Sequence, residues 1–381
     1  MNDECTPRAR IRAALRGELA DRVPFSIYWL MLPRGTAERR LRNQGLAVVE
    51  RLAPFRVEMP NVQLLSHEWY ADGRRTVRET WRTPLGEVYR TRQLDPGYGT
   101  SWWYLDYPIK RVEDYRVVEF MVRDTRYYPD YDAFRLAEER LGEDGYVIAN
   151  ADYSPMGKMM YEYLGLERFG TDWYDCPDEF FSLYAALTDK HRELAAVCAN
   201  SPAELVIYDG NIHQDTIGRP RFEQYYLPCI NAFADVLHAA GKLSACHLDA
   251  NLANLVTAVA NSHLDVIEAF TPAPTCDVTV EQARRAWPDK VLWINFPSSV
   301  LIQPPERIRQ EARSILRQAA PGDRFLIGIT EDIPEWAWRL ALETINETIL
   351  EHGRLPLTGG VGDALTPGPS PGAVGEGSAL T

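Results

Sequence analysis

The chain has 381 residues, 45% hydrophobic and 25% charged, an ordinary globular composition with enough apolar material for a large core. Forty-one basic residues against 54 acidic ones leave a net charge of −13, which excludes nucleic acid as a partner unless a local basic patch overrides the repulsion. The six cysteines show no CxxC or paired spacing, and there is no signal-peptide core and no long apolar run, so the expectation is a cytoplasmic protein with reduced thiols and no membrane partner.

In chain order, "RARIRAALRG" (8–17) reads as a basic amphipathic helix ahead of a first strand in "DRVPFSIYWL" (21–30). "RTVRETWRTPLGEVYRTRQLD" (75–95) alternates around Pro84 and Gly86, which predicts an inserted β-hairpin spanning about 75–108. The aromatic stretch "GYGTSWWYLDYP" (97–108) either packs that hairpin onto the body or forms a lid or partner surface. From residue 146 onward, short apolar runs at 146–152, 204–210, 242–250, 264–270, 290–296 and 324–330 alternate with helical patterns at 156–168, 177–199, 221–240, 251–261, 279–286, 304–319 and 334–352. Pro177, Pro304, Pro305 and Pro334 mark helix starts. Strand followed by helix, repeated, means parallel strands joined by crossovers. The reading is one α/β domain, 1–357, a (β/α)8 TIM barrel with an N-terminal helical extension and the hairpin insertion. The stretch 358–381 is Gly/Pro/Ser-rich and predicts a disordered tail.

Polar residues recur where these strands end. Asn150 and Asp152 close the first of them, Asp209 and Asn211 the next, then His247 and Asp249, Glu268, Asn295, and Thr330 with Glu331. Singly, each has a plain structural role open to it: a rim histidine, a helix cap, a loop partner. Together they mark the rim where a barrel of this class builds its active site from the ends of several strands. His247 and Asp249 stand two apart, as do Ile327, Ile329 and Glu331, so strand alternation gives each set a common face.

The segments "ANADYSPMGKMMYEYLGLERFGTDWYDCPDEF", "AAGKLSACHLDANLANLVTAVANSHLDVIEAFTPAP", "FLIGITEDIP" and "ILEHGRLPL" resemble the uroporphyrinogen decarboxylase superfamily, which holds porphyrinogen decarboxylases and cobalamin-dependent methyltransferases. The likeness spans roughly 8–357 and rests on the step from His247 to Asn251, on "TPAPTCD" (271–277) and on the closing "I-P…E-x-G-x-x-P". It implies a (β/α)8 barrel.

The decarboxylase branch carries an N-terminal "RQAGRY" and an aspartate in "FSDI". Here "YWLMLPRGTAERR" (28–40) offers only Arg34 for the first, and "VEMPNVQ" (57–63), the segment expected to match the second, has no Asp. The family tyrosine does match Tyr161, which is either a catalytic residue facing the pocket or a helix-face aromatic packed on the barrel. The methyltransferase branch holds zinc through His-x-Cys and a later Cys. The resemblance places His247, Asp249 and Glu331 at those positions, with carboxylates in place of both thiolates. It therefore implies zinc or another divalent metal at His247, Asp249 and Glu331, the oxygen ligands favouring a methyl ether as substrate. The other possibility is a hydrogen-bonded His–Asp pair with Glu331 free for acid–base work.

The expected activity is methyl exchange between a small molecule and a corrinoid protein, since the "D-x-H-x-x-G" loop that ligates cobalt is absent from the sequence. Tyr161, Glu331 and Asp209 are the catalytic candidates; Asn150, Asp152, Asn211, His213, Glu268 and Asn295 are the substrate-binding ones. A porphyrinogen decarboxylase with an altered grip, and a non-catalytic barrel that binds a tetrapyrrole or corrinoid partner, remain the alternatives. The sequence leaves the oligomeric state open.

Overall fold

The computed structural model describes residues 5–95 and 101–358. Eight parallel strands close into a barrel: β1 (Phe25–Tyr28), β2 (Leu46–Leu52), β3 (Gly145–Asn150), β4 (Leu205–Gly210), β5 (Leu243–His247), β6 (Val266–Phe270), β7 (Val291–Asn295) and β8 (Phe325–Ile329). Each strand pairs with its neighbours in sequence, and β8 closes on β1 through Phe25↔Ile327 and Ile27↔Ile329. The expected (β/α)8 barrel is present.

Side chains two apart on a strand share a face, and the inward face is filled by Ala47, Val49, Tyr146, Ile148, Leu205, Ile207, Ala245, Val266, Trp293 and Leu326. The outward residues, among them Val48, Val147, Val206, Ile267 and Ile327, pack on the helices in a separate and larger core. Helix Pro7–Arg16 is the N-terminal extension. Thr6 caps it, Pro7 starts it, and Gly17 ends it in the left-handed region at φ 72°. Its Ile11, Ala14 and Leu15 plug the inward core at the end of the barrel where the strands begin.

Several expected bounds move. The strand read at 21–30 shrinks to β1 and runs into a tight turn at Trp29–Met31. β2 was not anticipated. The helix read at 251–261 forms only at Val256–Ala260, so Asp249 and Asn251 lie in a loop. The helix read at 156–168 is interrupted by a wide turn at Met159–Leu164 before it resumes at Gly165–Asp175.

The insertion lies between β2 and β3. It begins earlier than expected, as a four-stranded antiparallel sheet of Gln63–Ala71, Arg74–Thr83, Gly86–Leu94 and Trp102–Asp106. The turn at Pro84 and Leu85 joins the paired Thr83 and Gly86, as the alternation around it implied. A second, two-stranded pair joins Phe55–Glu58 to Arg126–Pro129. The segment 57–63, expected to match the aspartate-bearing segment of the decarboxylases, is therefore outside the barrel. Of the aromatic stretch 97–108, residues 97–100 lie outside the described residues, as do 359–381 of the Gly/Pro-rich tail. Trp103 and Leu105 are exposed, while Tyr104 turns inward to accept from Arg90. Among the described residues, no helix is long and apolar enough to cross a membrane.

The closest backbone approach inside the barrel predicts a measurable asymmetry between two glycines. Gly145 pairs with Val48, and a Cβ there would stand 1.9 Å from the Val48 carbonyl oxygen. Gly145→Ala should destabilise the chain by about 3 kcal/mol in urea denaturation. Gly170, in helix Gly165–Asp175, has nothing within 4 Å of its missing Cβ, so Gly170→Ala should be neutral or stabilising by up to about 1 kcal/mol.

Candidate functional site

The inward alternation that is apolar through the barrel turns polar at its C-terminal end. Val49 is followed two positions on by Arg51, Ile148 by Asn150, Ile207 by Asp209, Ala245 by His247, Val266 by Glu268 and Trp293 by Asn295. One strand period thus carries six of the barrel strands from core to rim, which is how strands without sequence similarity deliver polar groups to one end of the barrel. Above them lies a cavity of about 480 Å³, lined by Arg51, Asn150, Ala151, Asp152, Tyr153, Glu162, Ile207, Asp209, Gly210, Asn211 and His247.

One wall is a chain of hydrogen bonds across five strands. Tyr28 donates to Glu268, whose other oxygen lies 2.6 Å from His247 Nδ1. His247 Nε2 lies 3.4 Å from Asp249 Oδ2. Arg51 donates to the Tyr28 hydroxyl at 3.1 Å and to Asn150 Oδ1 at 2.8 Å. Burial alone would lower the His247 pKa, but the two carboxylates outweigh it and push it up to about 9. Burial likewise opposes a charged Glu268, and His247, Arg51 and Tyr28 hold it below the usual glutamate range. An imidazolium with both nitrogens committed is a fixed cation, not a free base.

The opposite wall is Lys158 with Asp152 (2.5 Å) and Glu162 (3.3 Å). Burial works against the Lys158 charge, and these carboxylates raise its pKa nonetheless.

Between the walls sits Asp209. It is 4% exposed, and its Oδ2 has no hydrogen-bond partner. The backbone there is in the left-handed region at φ 67°, followed by Asn211 at φ 52°, where the pairing of β4 with β5 slips. Non-glycine residues rarely hold such angles, and the surrounding structure must over-determine them. Two contacts do so: Tyr161 donates to the Asn211 carbonyl, and Asn211 Nδ2 donates to the Tyr153 hydroxyl at 2.9 Å. Gly157 makes room, since a Cβ there would lie 2.8 Å from Asp209 Oδ1. Burial pushes the Asp209 carboxyl up to about 6, against hydrogen bonds from Ser154 and Gly210 that pull it down.

Of the residues singled out from the sequence, Asn150, Asp152, Asp209, Asn211 and His247 share the cavity. Glu268 is fully buried behind His247. Tyr161 stands one layer back, its ring 5.3 Å from that of Tyr153, so it supports the lining and is not part of it. Asn295 is not a lining residue either. It receives the Thr330 amide at 3.0 Å and donates to Thr271, tying together the ends of β6, β7 and β8. His213 accepts from the Asp215 amide at 3.1 Å, a helix cap outside the cavity.

The expected metal ligands are not gathered. Among the described residues, no three His, Cys, Asp or Glu side chains form a group that could hold an ion. The reason is geometric. Glu331 follows Ile327 and Ile329, which face outward, and it lies past the end of β8. It feels the charges of Asp249 and His247 without joining them, and Ser298 is its hydrogen-bond partner.

The family model for uroporphyrinogen decarboxylase (URO-D) matches residues 95–335. The chain belongs to the uroporphyrinogen decarboxylase family. No curated protein matches it. Among solved structures, a methyltransferase from Methanosarcina mazei is 13% identical with a TM-score of 0.53, the match covering 91% of this chain and 99% of that one. At that identity the likeness establishes the shared barrel. A glycoside hydrolase family 5 protein from Bacteroides vulgatus is 11% identical with a TM-score of 0.37, covering 86% of this chain and 66% of that one. The chain is thus an enzyme of the decarboxylase superfamily.

This family member carries site residues that sequence reasoning missed: Arg51, Tyr28, Tyr153 and Glu162. The first had a signal. "LAVVERL" is an apolar run ending in charge, the same pattern as the later strands. Its neighbour "APFRVEMP" supplied a competing alternation that forms a different sheet.

Asp209 makes a pH prediction. Its folded-state pKa of about 6 lies above the ordinary 3.8, so the proton it keeps stabilises the fold below about pH 4, and that contribution is lost as pH rises through 6. The difference corresponds to about 3 kcal/mol at most. Asp209→Asn should therefore match wild type in urea denaturation near pH 4 and exceed it by up to that amount at pH 8.

Proposed function

We propose that this enzyme moves a methyl group between a small, positively charged N-methyl substrate and a corrinoid carried by a partner protein. The observation that carries the reading is the buried carboxylate of Asp209, one oxygen of which has no hydrogen-bond partner, in the lining of a cavity shared with Arg51, His247, Asp152 and Glu162, with Asp249 and Glu268 close behind. Arg51 and His247 are already committed to neighbours, so the surplus is negative. A methylated ammonium suits Asp209 through charge and the face of Tyr153 through its quadrupole.

The corrinoid, when bound, supplies the cobalt centre that takes or gives the methyl group. The chain's own residues hold the substrate. Asp209 stabilises the cationic nitrogen. With its pKa near 6, it carries that charge at neutral pH, and the amine leaves neutral without needing a proton. Tyr153 and Asn211 set one side of the substrate, and the charged wall of His247, Glu268 and Tyr28 keeps the opposite side rigid. A partner protein has a surface to meet: Trp29 and Leu30 follow β1, Trp336 follows the adjacent β8, and all three are exposed.

Two other readings fare less well on these residues. A porphyrinogen with eight carboxylates would meet three lining carboxylates and a single lining arginine, Arg51, already committed to Tyr28 and Asn150. Zinc at His247, Asp249 and Glu331 would supply Lewis-acid chemistry, but these donors as arranged do not fit it, and no step above uses a metal.

With tetramethylammonium as donor and free cob(I)alamin as acceptor, the purified chain should consume cob(I)alamin, followed by its absorbance. Asp209→Asn should slow this by about 100-fold or more. Release of carbon dioxide from uroporphyrinogen, or zinc bound stoichiometrically and lost in His247→Ala, would replace this reading with the corresponding alternative.

A further inference from the structure

The inserted four-stranded sheet has two edges, and they differ. One is the strand Trp102–Asp106, only five residues long, whose pairing with Gly86–Leu94 slips between Thr91 and Arg92. Short length, irregular register, lysine and proline are the means by which sheet edges avoid pairing with another chain. The other edge, Gln63–Ala71, uses none of them. It runs nine residues, pairs with Arg74–Thr83 at nine consecutive positions without a slip, and contains no Lys, Arg or Pro. Among the described residues no strand pairs with its outer side, and no hydrogen bond outside the sheet uses its backbone.

The sheet is anchored, so this edge is held in place. Trp81 and Val88, on the two central strands, are buried in the large core outside the barrel. The edge itself is open, with Leu64 52% and Tyr70 70% exposed. A long, uninterrupted, partly apolar edge is a template for one more strand.

We propose that Gln63–Ala71 pairs antiparallel with the same strand of a second copy of this chain, joining two four-stranded sheets into one of eight. The order of residues along the strand decides the occupant. A twofold axis normal to the sheet keeps every side chain on its own face, so it must pass opposite a residue and not between two. Centred on His67, it pairs all nine residues: Leu64 stands opposite Tyr70 of the second copy, Leu65 opposite Trp69, and Ser66 opposite Glu68. Such aliphatic–aromatic pairs stabilise a sheet. Centred on Glu68, the axis would set two carboxylates against each other, and centred on Ser66 it would leave Tyr70 and Ala71 without strand partners. The net charge of −13 opposes self-association in general, but this edge carries a single carboxylate, Glu68, which Arg75 already holds at 2.7 and 2.8 Å. Nine residues span about 30 Å and add about eight to ten backbone hydrogen bonds. That is a small interface, so the dimer should be reversible, with a dissociation constant on the order of 10 µM.

Sedimentation equilibrium of the full chain should show its average mass rising from one chain to two across that concentration. His67 is exposed and is the residue that faces its own copy, so it tests the register. His67→Lys and His67→Glu should each weaken dimerisation at least tenfold, because like charges then stand directly opposite, with circular dichroism and Tm unchanged. An equimolar mixture of the two variants should restore the dimer, since opposite charges then meet. A chain that stays monomeric to about 200 µM would overturn the proposal. So would a dimer indifferent to both substitutions, which uses another face, or a mixture that stays monomeric. None of these readouts depends on methyl transfer.

Discussion

Glu268 is a carboxylate with no exposure at all, and the upper end of the barrel is organised around keeping it charged. A buried anion needs partners on every side. Tyr28 comes from β1, His247 from β5, and Arg51 on β2 contributes its charge from across the top of the barrel. These groups can meet only if the strands close in this order and this register. The chain Arg51–Tyr28–Glu268–His247–Asp249 thus fixes the shape of one side of the cavity and spends the basicity of His247 in doing so. Asp209 Oδ2, buried without a hydrogen-bond partner, stands outside this network.

Two of the five non-glycine residues with left-handed backbone among the described residues stand at the end of β4. Asp209 and Asn211 both adopt left-handed angles, and the slip of register against β5 turns Asp209 toward the cavity while Tyr208 stays on the outer face. Such conformations cost free energy that contacts elsewhere must offset. Tyr161, Tyr153 and the space left by Gly157 provide those contacts. Tyr161, placed by family likeness at the site, acts through the backbone of Asn211. The wide helical turn at Met159–Leu164 is what swings it there.

The insertion between β2 and β3 departs from the face of the barrel that carries the site. Its sheet reaches across that face: Ser101 donates to Asp332 in the loop after β8. The strand Trp102–Asp106 packs one edge through Tyr104 and leaves Trp103 and Leu105 in solvent. Both roles weighed for this aromatic stretch, packing and an open surface, are thus present on alternate residues, as strand geometry requires.

The sequence by itself determined the class of fold and the end of the barrel at which polar side chains gather. Strand-length apolar runs alternating with capped helical patterns admit few arrangements, and a strand period of two is enough to see that Asn150, Asp209, His247 and Glu268 continue inward faces. It did not reveal β2 or Arg51, because a short buried run next to a second alternating segment has no local mark that says which one joins the barrel. Nor could it assign roles. Whether His247 is a ligand, a base or a fixed cation depends on Glu268, 21 residues away in sequence, and on Tyr28, 219 away, and whether Glu331 joins it depends on where β8 ends. Local pattern governs which face a side chain takes. Partnership between faces is set by closure of the barrel, a long-range constraint that the tertiary structure alone decided.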